Sequence, residues 1–491
     1  MPADPPWQTI PEMVLSTADR FGDAEAIVDG DLRITFAELT DKIRTAAGAF
    51  KQAGLDKGDR VAIWAPNSAE WIIAAFGLLT AGGVLVPVNT RFKAAEAGDI
   101  IRRSQAKLLL VRKNFLGLDF DFEDGKADIP VIDLTSDFLA SGTPTERRVK
   151  SDDVADIIYT SGTTGRPKGV MMTHAPTLRL YTEWNELAGT REGDRYLIAN
   201  PFFHIFGYKA GCIASMIRGM TILPVPVFDI DNVLDLIERE KVTVLPGPPT
   251  VYHELLRAHR QGGRDLSTLR VAVTGAADIP VELIRQIRQE LPFTSIMTGY
   301  GLTEAGTITA SRQTDSVVDI ATTVGTPTDG FELRIAADGE LLARGYGVMK
   351  GYLDDPEATR QAVDQDGWLH TGDLGTIDEN GRLKIIGRKK DMFIVGGFNA
   401  YPAEIEGFLL EHPAVAQAAV IGVPDERLGQ VGKAFIVRKE DTGGKEDDVT
   451  ADELITWAKT RMAGFKAPRY VEFLQALPLN ATGKVMKDQL K

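Results

Sequence analysis

Cysteine is almost missing from this chain: Cys212 is the only one in 491 residues. A single thiol excludes an internal disulfide, a Cys-x-x-Cys redox pair and a zinc ribbon, and it fits a reducing cytoplasm. Positive charge is in deficit too, with 55 Lys and Arg against 69 Asp and Glu, a net −14. Such a surface repels nucleic acid and anionic membranes at long range, yet leaves a small polyanion open to capture by a few placed cations. The opening MPADPPWQTIPEM has neither a basic head nor an apolar core, so no secretory signal is expected in it. One stretch, Trp71 to Thr90, carries no charge over 20 residues. Gly82-Gly83 and Pro87 break it, and its pattern turns from helix-like to strand-like, so a buried helix, a glycine turn and a buried strand are expected instead of a transmembrane segment.

What the chain has in excess is glycine, 48 residues, against a usual share of about 7%. The length accommodates roughly two to four domains. Apolar runs such as RVAIWA, KLLLV, DIIYT, VTVLPG, LRVAVTG and TSIMTGYG alternate with amphipathic segments such as NVLDLIEREK and VELIRQIRQEL. That alternation predicts layered α/β structure with largely parallel sheets. From about residue 325 the pattern becomes β-rich: FELRIAADGELLARG and GTIDENGRLKIIGR alternate around Asp-Gly and Asn-Gly turns, as hairpins do. Past Arg388 a small α+β unit is expected, with AEIEGFLLEH and ADELITWAKTRM as helices and AQAAVIGV and GKAFIVRK as strands. The acidic stretch EDTGGKEDDVTAD reads as an exposed loop.

The glycines gather where chemistry is plausible. IIYTSGTTGRPKG leads a strand into a loop of hydroxyls, glycines and cations. Its glycines admit backbone N–H groups to an anion, while Arg166 and Lys168 supply charge, a phosphate-binding design without the common G-x-x-x-x-G-K-[ST] spacing. GYGLTEAG has Glu304 where a dinucleotide fingerprint needs its third glycine, which disfavours hydride transfer and suits Mg²⁺ bridging phosphates. GWLHTGDLG sets Asp373 in a turn where its carboxylate could accept from a ribose diol. Taken singly, each segment also reads as an ordinary surface turn, strand-to-loop junction or solvated charge run.

Together these segments resemble the adenylate-forming superfamily of acyl-CoA synthetases, peptide-synthetase adenylation domains and luciferases. The matches run in order through RITFAELTD, GDRVAIWAPNSAEW to VPVN, YTSGTTGRPKG, NPFFHIFG, TGAA, GYGLTEAG, GWLHTGDLG, GRKKDMFIVGGFNAYPAEIE and PLNATGKV. The resemblance implies an N-terminal domain over 1–389, with its β-rich subdomain at about 325–389, and a mobile C-terminal domain over 390–491 hinged at Lys390. It implies two half-reactions: a carboxylate displaces pyrophosphate from ATP, and a thiol then displaces AMP.

Family roles fall on particular residues. Thr160, Ser161, Gly162, Thr163, Thr164, Gly165 and Lys168 are expected to hold the β and γ phosphates, Glu304 to bind Mg²⁺ and Thr303 to contact the α phosphate. Gly275, Ala276 and Ala277 with Tyr300 are expected around the adenine, Gly301 beside them in the ATP site, Asp373 and Arg388 on the ribose hydroxyls, and Lys484 between the substrate carboxylate and the α phosphate. Gly275-Ala276-Ala277 departs from the more usual Gly-Gly-Ala. Gly396 and Gly397 are expected along the thiol channel, and Phe203, His204, Tyr208, Thr250 and Leu302 around the acyl group. The hinge region lacks the insertion of ligases that load carrier proteins, so coenzyme A is the expected acceptor, with Lys459, Arg461, Lys466 and Arg469 as a patch for its phosphates. NPFFHIFGYKAG, VTVLPGPPTVYHELL and AVTGAA are most similar to bacterial acyl-CoA synthetases of steroid catabolism, which activate a bicyclic propanoate. Medium-chain fatty and aryl acids are the alternatives, an oxidative luciferase and a non-catalytic ligand-binding homologue stand as readings of other classes, and a homo-oligomer is left open.

Overall fold

Short runs of Val, Ile and Leu flanked by amphipathic helices have both faces to bury, and the computed structural model shows them doing so. It describes residues 5–113, 115, 129–160, 167–275, 279–396, 398–439, 449–480 and 485–490. The chain divides into two compact units, one of residues 1–275, 279–332 and 344–369, the other of residues 276–278, 333–343 and 370–491.

The first unit holds two seven-stranded sheets. One runs Ser295–Met297, Val271–Val273, Val244–Pro246, Arg195–Ile198, Thr221–Pro224, Glu25–Asp29, Leu32–Thr35. All its pairings are parallel except the last, the Glu25–Asp29 and Leu32–Thr35 hairpin. The other runs Gly351–Tyr352, Lys168–Thr173, Val154–Thr160, Val84–Pro87, Arg60–Trp64, Leu108–Val111, Val131–Asp133. Its first two pairings are antiparallel and the others parallel. Parallel strands of this kind need crossover helices and leave their carboxyl ends together on one edge, where ligands bind in open α/β sheets.

The uncharged stretch from Trp71 forms the helix Ala69–Thr80 and the strand Val84–Pro87, both buried. Ser68 caps the helix, its hydroxyl accepting from Trp71 N–H at 3.2 Å. Gly82 turns the chain at φ +85°, a conformation open to glycine at little cost. Gly77 lets this helix approach its neighbour Phe36–Gln52, since a Cβ there would lie 2.6 Å from that of Ala46. Among the described residues no helix is long and apolar enough to cross a membrane. Cys212 is fully buried.

Most residues of a four-stranded sheet, Phe331–Ile335, Glu340–Gly345, Leu369–Ile377 and Leu383–Arg388, belong to the second unit. That unit also contains a five-stranded sheet built on the long hairpin Val415–Asp425 and Gly429–Arg438. The helices Pro402–Leu410 and Ala451–Arg461 lay Ile405, Leu409, Leu454 and Ala458 into its core beside Val420, Ala434 and Ile436. The acidic loop assigned from sequence falls mainly on 440–448, outside the described residues.

Candidate active site

The segments singled out in the sequence leave the carboxyl ends of the first unit's strands. After Ile198 come Phe203 and His204, after Pro246 comes Thr250, after Val273 comes Gly275, and after Met297 come Tyr300 to Glu304. In the other sheet, Val154–Thr160 delivers Thr160, and the hairpin returns at Lys168, the two being register partners. Residues 161–166 between them, which include Ser161, Gly162, Thr163, Thr164, Gly165 and Arg166, lie outside the described residues. The loop's exit is fixed: Arg103 donates to the Pro167 carbonyl at 2.7 Å, and its guanidinium lies 5.5 Å from the Tyr159 ring centre.

Tyr300, Gly301 and Leu302 form a short strand antiparallel to Gly306–Ala310, with Gly301 opposite Thr307. A Cβ on Gly301 would sit 2.4 Å from the Gly306 carbonyl oxygen, so this glycine is required by the chain's own tight return. Thr303 is buried. The Glu304 carbonyl accepts from Met349 N–H at 2.7 Å, and its carboxylate accepts from the Tyr352 hydroxyl at 2.9 Å. The Tyr352 ring in turn faces Lys168, whose ammonium lies 5.0 Å from the ring centre. Burial and the Glu304 charge push the Tyr352 phenol far above its ordinary pKa, so it stays a proton donor in this bond. Nothing in KGYLDDPEAT singled out Tyr352 in the sequence.

The loop bearing His204 is held by Asn67, from APNSAEW. Its amide nitrogen donates to the carbonyls of Ile198, Asn200 and Val225 at 3.0 to 3.2 Å, and its oxygen accepts from Phe202 N–H at 2.8 Å. His204 Nδ1 accepts from Phe206 N–H at 3.2 Å, which puts the ring proton on Nε2. Burial lowers its pKa to about 4, so at neutral pH it is an uncharged donor. Beyond it, Phe206–Ile213 winds as a π-helix, a wide turn that the amphipathic pattern did not foretell. Gly207 permits the tight fold-back, since a Cβ there would lie 2.3 Å from the Asn200 and Pro201 carbonyl oxygens.

Of the expected acyl-pocket residues, Phe203 is 8% exposed, Leu302 half-buried and Thr250 exposed at the start of the helix Pro249–Gln261. Tyr208 is wholly buried, its ring 5.6 Å from that of Trp71. Next to it Lys209 pairs with Asp156 at 2.9 Å, both almost inaccessible. This pair joins the π-helix to the strand that enters the phosphate-type loop. Asp156 is pushed toward protonation by burial and held back by the Lys209 charge.

In the second unit Asp373 lies within the strand Leu369–Ile377 and not in the turn expected for it, as the register partner of Arg388, whose Nε is 3.2 Å from its carboxylate. Lys389 binds Asp338 at 2.7 Å and Glu340 at 3.1 Å, while Lys390 is exposed. Gly396 holds φ +58° in the hairpin between Phe393–Val395 and Phe398–Ala400. Ala276, Ala277, Gly397 and Lys484 lie outside the described residues.

For a divalent cation, Glu304 offers one carboxylate, and no group of three or more His, Cys, Asp or Glu able to hold a metal occurs among the described residues. That donor set fits Mg²⁺ shared with nucleotide phosphates, which needs only one or two carboxylates, and does not fit a closed protein cage.

Hydroxyls, a lysine and a carboxylate at the strand ends of two mostly parallel sheets define a nucleotide-handling α/β enzyme, and comparison with known proteins narrows it. Residues 15–353 match the AMP-binding enzyme family and residues 404–484 the AMP-binding enzyme C-terminal domain. The chain is 45% identical, over 98% of itself and 98% of the relative, to the 3-[(3aS,4S,7aS)-7a-methyl-1,5-dioxo-octahydro-1H-inden-4-yl]propanoyl:CoA ligase of Rhodococcus jostii. It is 46% identical to the ligase of the same name from Mycobacterium tuberculosis, over 99% of itself and 98% of that relative. Among solved structures, ATP-bound MatB from Rhodopseudomonas palustris superimposes with a TM-score of 0.88 at 29% identity, covering 98% of both chains. The chain belongs to the AMP-binding enzyme family; it is an ATP-using acid–thiol ligase of the acyl-CoA synthetase type.

Proposed function

We propose that the chain activates a steroid-derived bicyclic propanoate, the methyl-hydrindanedione propanoate named for its relatives, and transfers it to coenzyme A. The observation that carries this reading is near-half identity, along essentially the whole chain, to two ligases of that acid. A carboxylate oxygen of the acid attacks the α-phosphorus of ATP, the bond to the β phosphate breaks, and pyrophosphate leaves. The sulfur of coenzyme A then adds to the acyl carbon, its proton passes to solvent, and AMP leaves with the C–O bonding pair. The first step turns a poor electrophile into an acyl adenylate with AMP as a good leaving group, and the second uses that activation to form the thioester.

The residues take these parts in that reading. Thr160 and Lys168, with the loop between them, hold the β and γ phosphates, and Thr303 meets the α phosphate. Glu304 holds Mg²⁺, which when bound offsets the phosphate charge. Gly275, Ala276, Ala277 and Tyr300 enclose adenine, Gly301 belongs to the same ATP site, and Asp373 with Arg388 engages the ribose. Phe203, Tyr208, Thr250 and Leu302 shape the acyl pocket, and neutral His204 donates from Nε2 toward the carboxylate. Lys484 stabilises the charge that develops during attack. Because a thiol must later reach the same carbonyl, the C-terminal domain, 390–491, turns about Lys390 and withdraws Lys484, bringing Gly396 and Gly397 along pantetheine. Lys389, the residue before that hinge, is bound to Asp338 and Glu340. A cytoplasmic setting follows from the supply of ATP and coenzyme A.

Two measurements test this. AMP release with coenzyme A over a panel of steroid-derived, medium-chain and aryl acids should give the highest kcat/KM for the bicyclic propanoate; a better fatty or aryl substrate overturns the substrate, and no turnover with any acid restores the non-catalytic reading. Lys484→Ala should abolish adenylate formation yet spare thioester formation from supplied acyl adenylate, and equal loss of both rejects its role.

A further inference from the structure

Tyr352 touches two groups that the reaction uses and that the sequence separates by well over a hundred residues. Its hydroxyl donates to Glu304 Oε1 at 2.9 Å, and its ring face lies 5.0 Å from Lys168 Nζ. A cation over an aromatic face and a carboxylate on the phenolic proton are independent attractions, and one rigid ring ties both partners to one place.

The backbone makes the same connection. Gly351–Tyr352 pairs antiparallel with Lys168–Thr173, Tyr352 opposite Val170, and Leu353 N–H donates to the Gly169 carbonyl at 2.8 Å. Three residues before Tyr352, Met349 N–H donates to the Glu304 carbonyl at 2.7 Å. Tyr352 N–H is itself held by the Thr359 hydroxyl at 2.9 Å. The segment 349–353 is therefore fastened to the strand that carries Lys168 and to the turn that carries Glu304.

We propose that Tyr352 is a positioning residue for adenylate formation: it fixes the separation and orientation of the Lys168 ammonium and the Glu304 carboxylate, so that a nucleoside triphosphate and its divalent cation are received by a preset pair. The proposal rests on the phosphate role of Lys168 and the metal role of Glu304. Holding Glu304 Oε1 in a hydrogen bond leaves Oε2 as the oxygen for the cation and limits rotation of the carboxylate. Packing the lysine against the ring holds its charge without a competing anion among the described residues.

The test uses the full chain and three variants. Tyr352→Phe keeps the ring and removes the hydroxyl, Tyr352→Leu removes both, and Glu304→Gln removes the proposed metal ligand. Readouts are the binding of Mn²⁺ followed by electron paramagnetic resonance in the presence of ATP, the binding of a fluorescent ATP analogue without metal, and the metal dependence of pyrophosphate release. Tyr352→Phe should weaken Mn²⁺ about tenfold, the scale of a lost charge-assisted hydrogen bond, and leave metal-free nucleotide binding unchanged. Tyr352→Leu should also weaken metal-free nucleotide binding severalfold. Melting temperatures of Tyr352→Phe and the parent should agree, so that a shift in metal affinity is not general unfolding. If Glu304→Gln weakens Mn²⁺ and Tyr352→Phe does not, the positioning role is overturned while the metal role stands. If Glu304→Gln leaves Mn²⁺ binding intact, both fall.

Discussion

Replacing Lys209 by methionine would leave the Asp156 carboxylate alone in the interior. Both partners are almost inaccessible, Asp156 at 0% and Lys209 at 2% exposure, and they meet at 2.9 Å. Neither the Asp156 oxygens nor the Lys209 ammonium finds a further hydrogen-bond partner among the described residues. Removing one member of such a pair costs about 3–5 kcal/mol, whereas replacing both by apolar groups of similar volume is neutral or stabilising. For a first unit of roughly 350 residues, an unfolding entropy near 0.75 kcal/mol/K turns that cost into a fall in melting temperature of about 4–7 °C. Lys209→Met should show that fall, and Asp156→Leu combined with Lys209→Met should recover most of it. Urea unfolding of the parent, the two single variants and the double variant closes the cycle, with a coupling of at least about 2 kcal/mol expected. A single variant that melts within a degree of the parent, or a double variant no more stable than either single one, refutes the reasoning. Because the pair links the π-helix after His204 to the strand before the phosphate-type loop, adenylation should decline in step with stability in the single variants.

His174, 1% exposed, has its pKa lowered to about 4 by burial, against 6.5 in the unfolded chain. Between those values the unfolded chain binds a proton that the folded chain refuses, so its contribution is complete above pH 6.5 and falls by about 3 kcal/mol as the pH drops to 4. Urea titrations at several pH values should show a flatter dependence in His174→Leu than in the parent, and parallel curves refute the assignment. Asn67→Ala strands the carbonyls of Ile198, Asn200 and Val225 and the N–H of Phe202. It should lose about 2–4 kcal/mol of stability and depress adenylation kcat more than KM for ATP; unchanged kcat means the His204 loop is held by other contacts.

Much of the fold could be read in advance because periodicity reports which faces are buried. RVAIWA, KLLLV and DIIYT became strands, NVLDLIEREK and VELIRQIRQEL became helices, and the glycine pair at 82–83 divided the uncharged stretch as expected. Strand order could not be read the same way. Ile27 lies beside Ile222 in a parallel pairing, and a partner nearly two hundred residues away leaves no mark on local pattern. The candidate site divides similarly. Glycine-rich turns and isolated charges drew attention to Lys168, Glu304, Asp373 and Arg388, and Asp373 and Arg388 proved to be cross-strand partners. The supporting residues were silent. Asn67 and Tyr352 are ordinary in their local settings, and Asp156 and Lys209 stand out only as charges within ADIIYT and FGYKAG, each explained by the other once the chain is folded.

The lone thiol has a consequence for handling the reaction. An acyl adenylate is a mixed anhydride, ready to acylate any exposed sulfur, and a reactive cysteine near it would consume the intermediate before coenzyme A arrived. Cys212 is sealed inside the π-helix, with burial raising its pKa well above the ordinary range, so the protein offers no competing nucleophile of that kind. The same seclusion makes the chain a ready spectroscopic ruler. Surface cysteines introduced one in each compact unit would be the only sites a thiol-directed dye can reach, and the distance between the dyes could be followed through a turnover without first stripping the parent of its own.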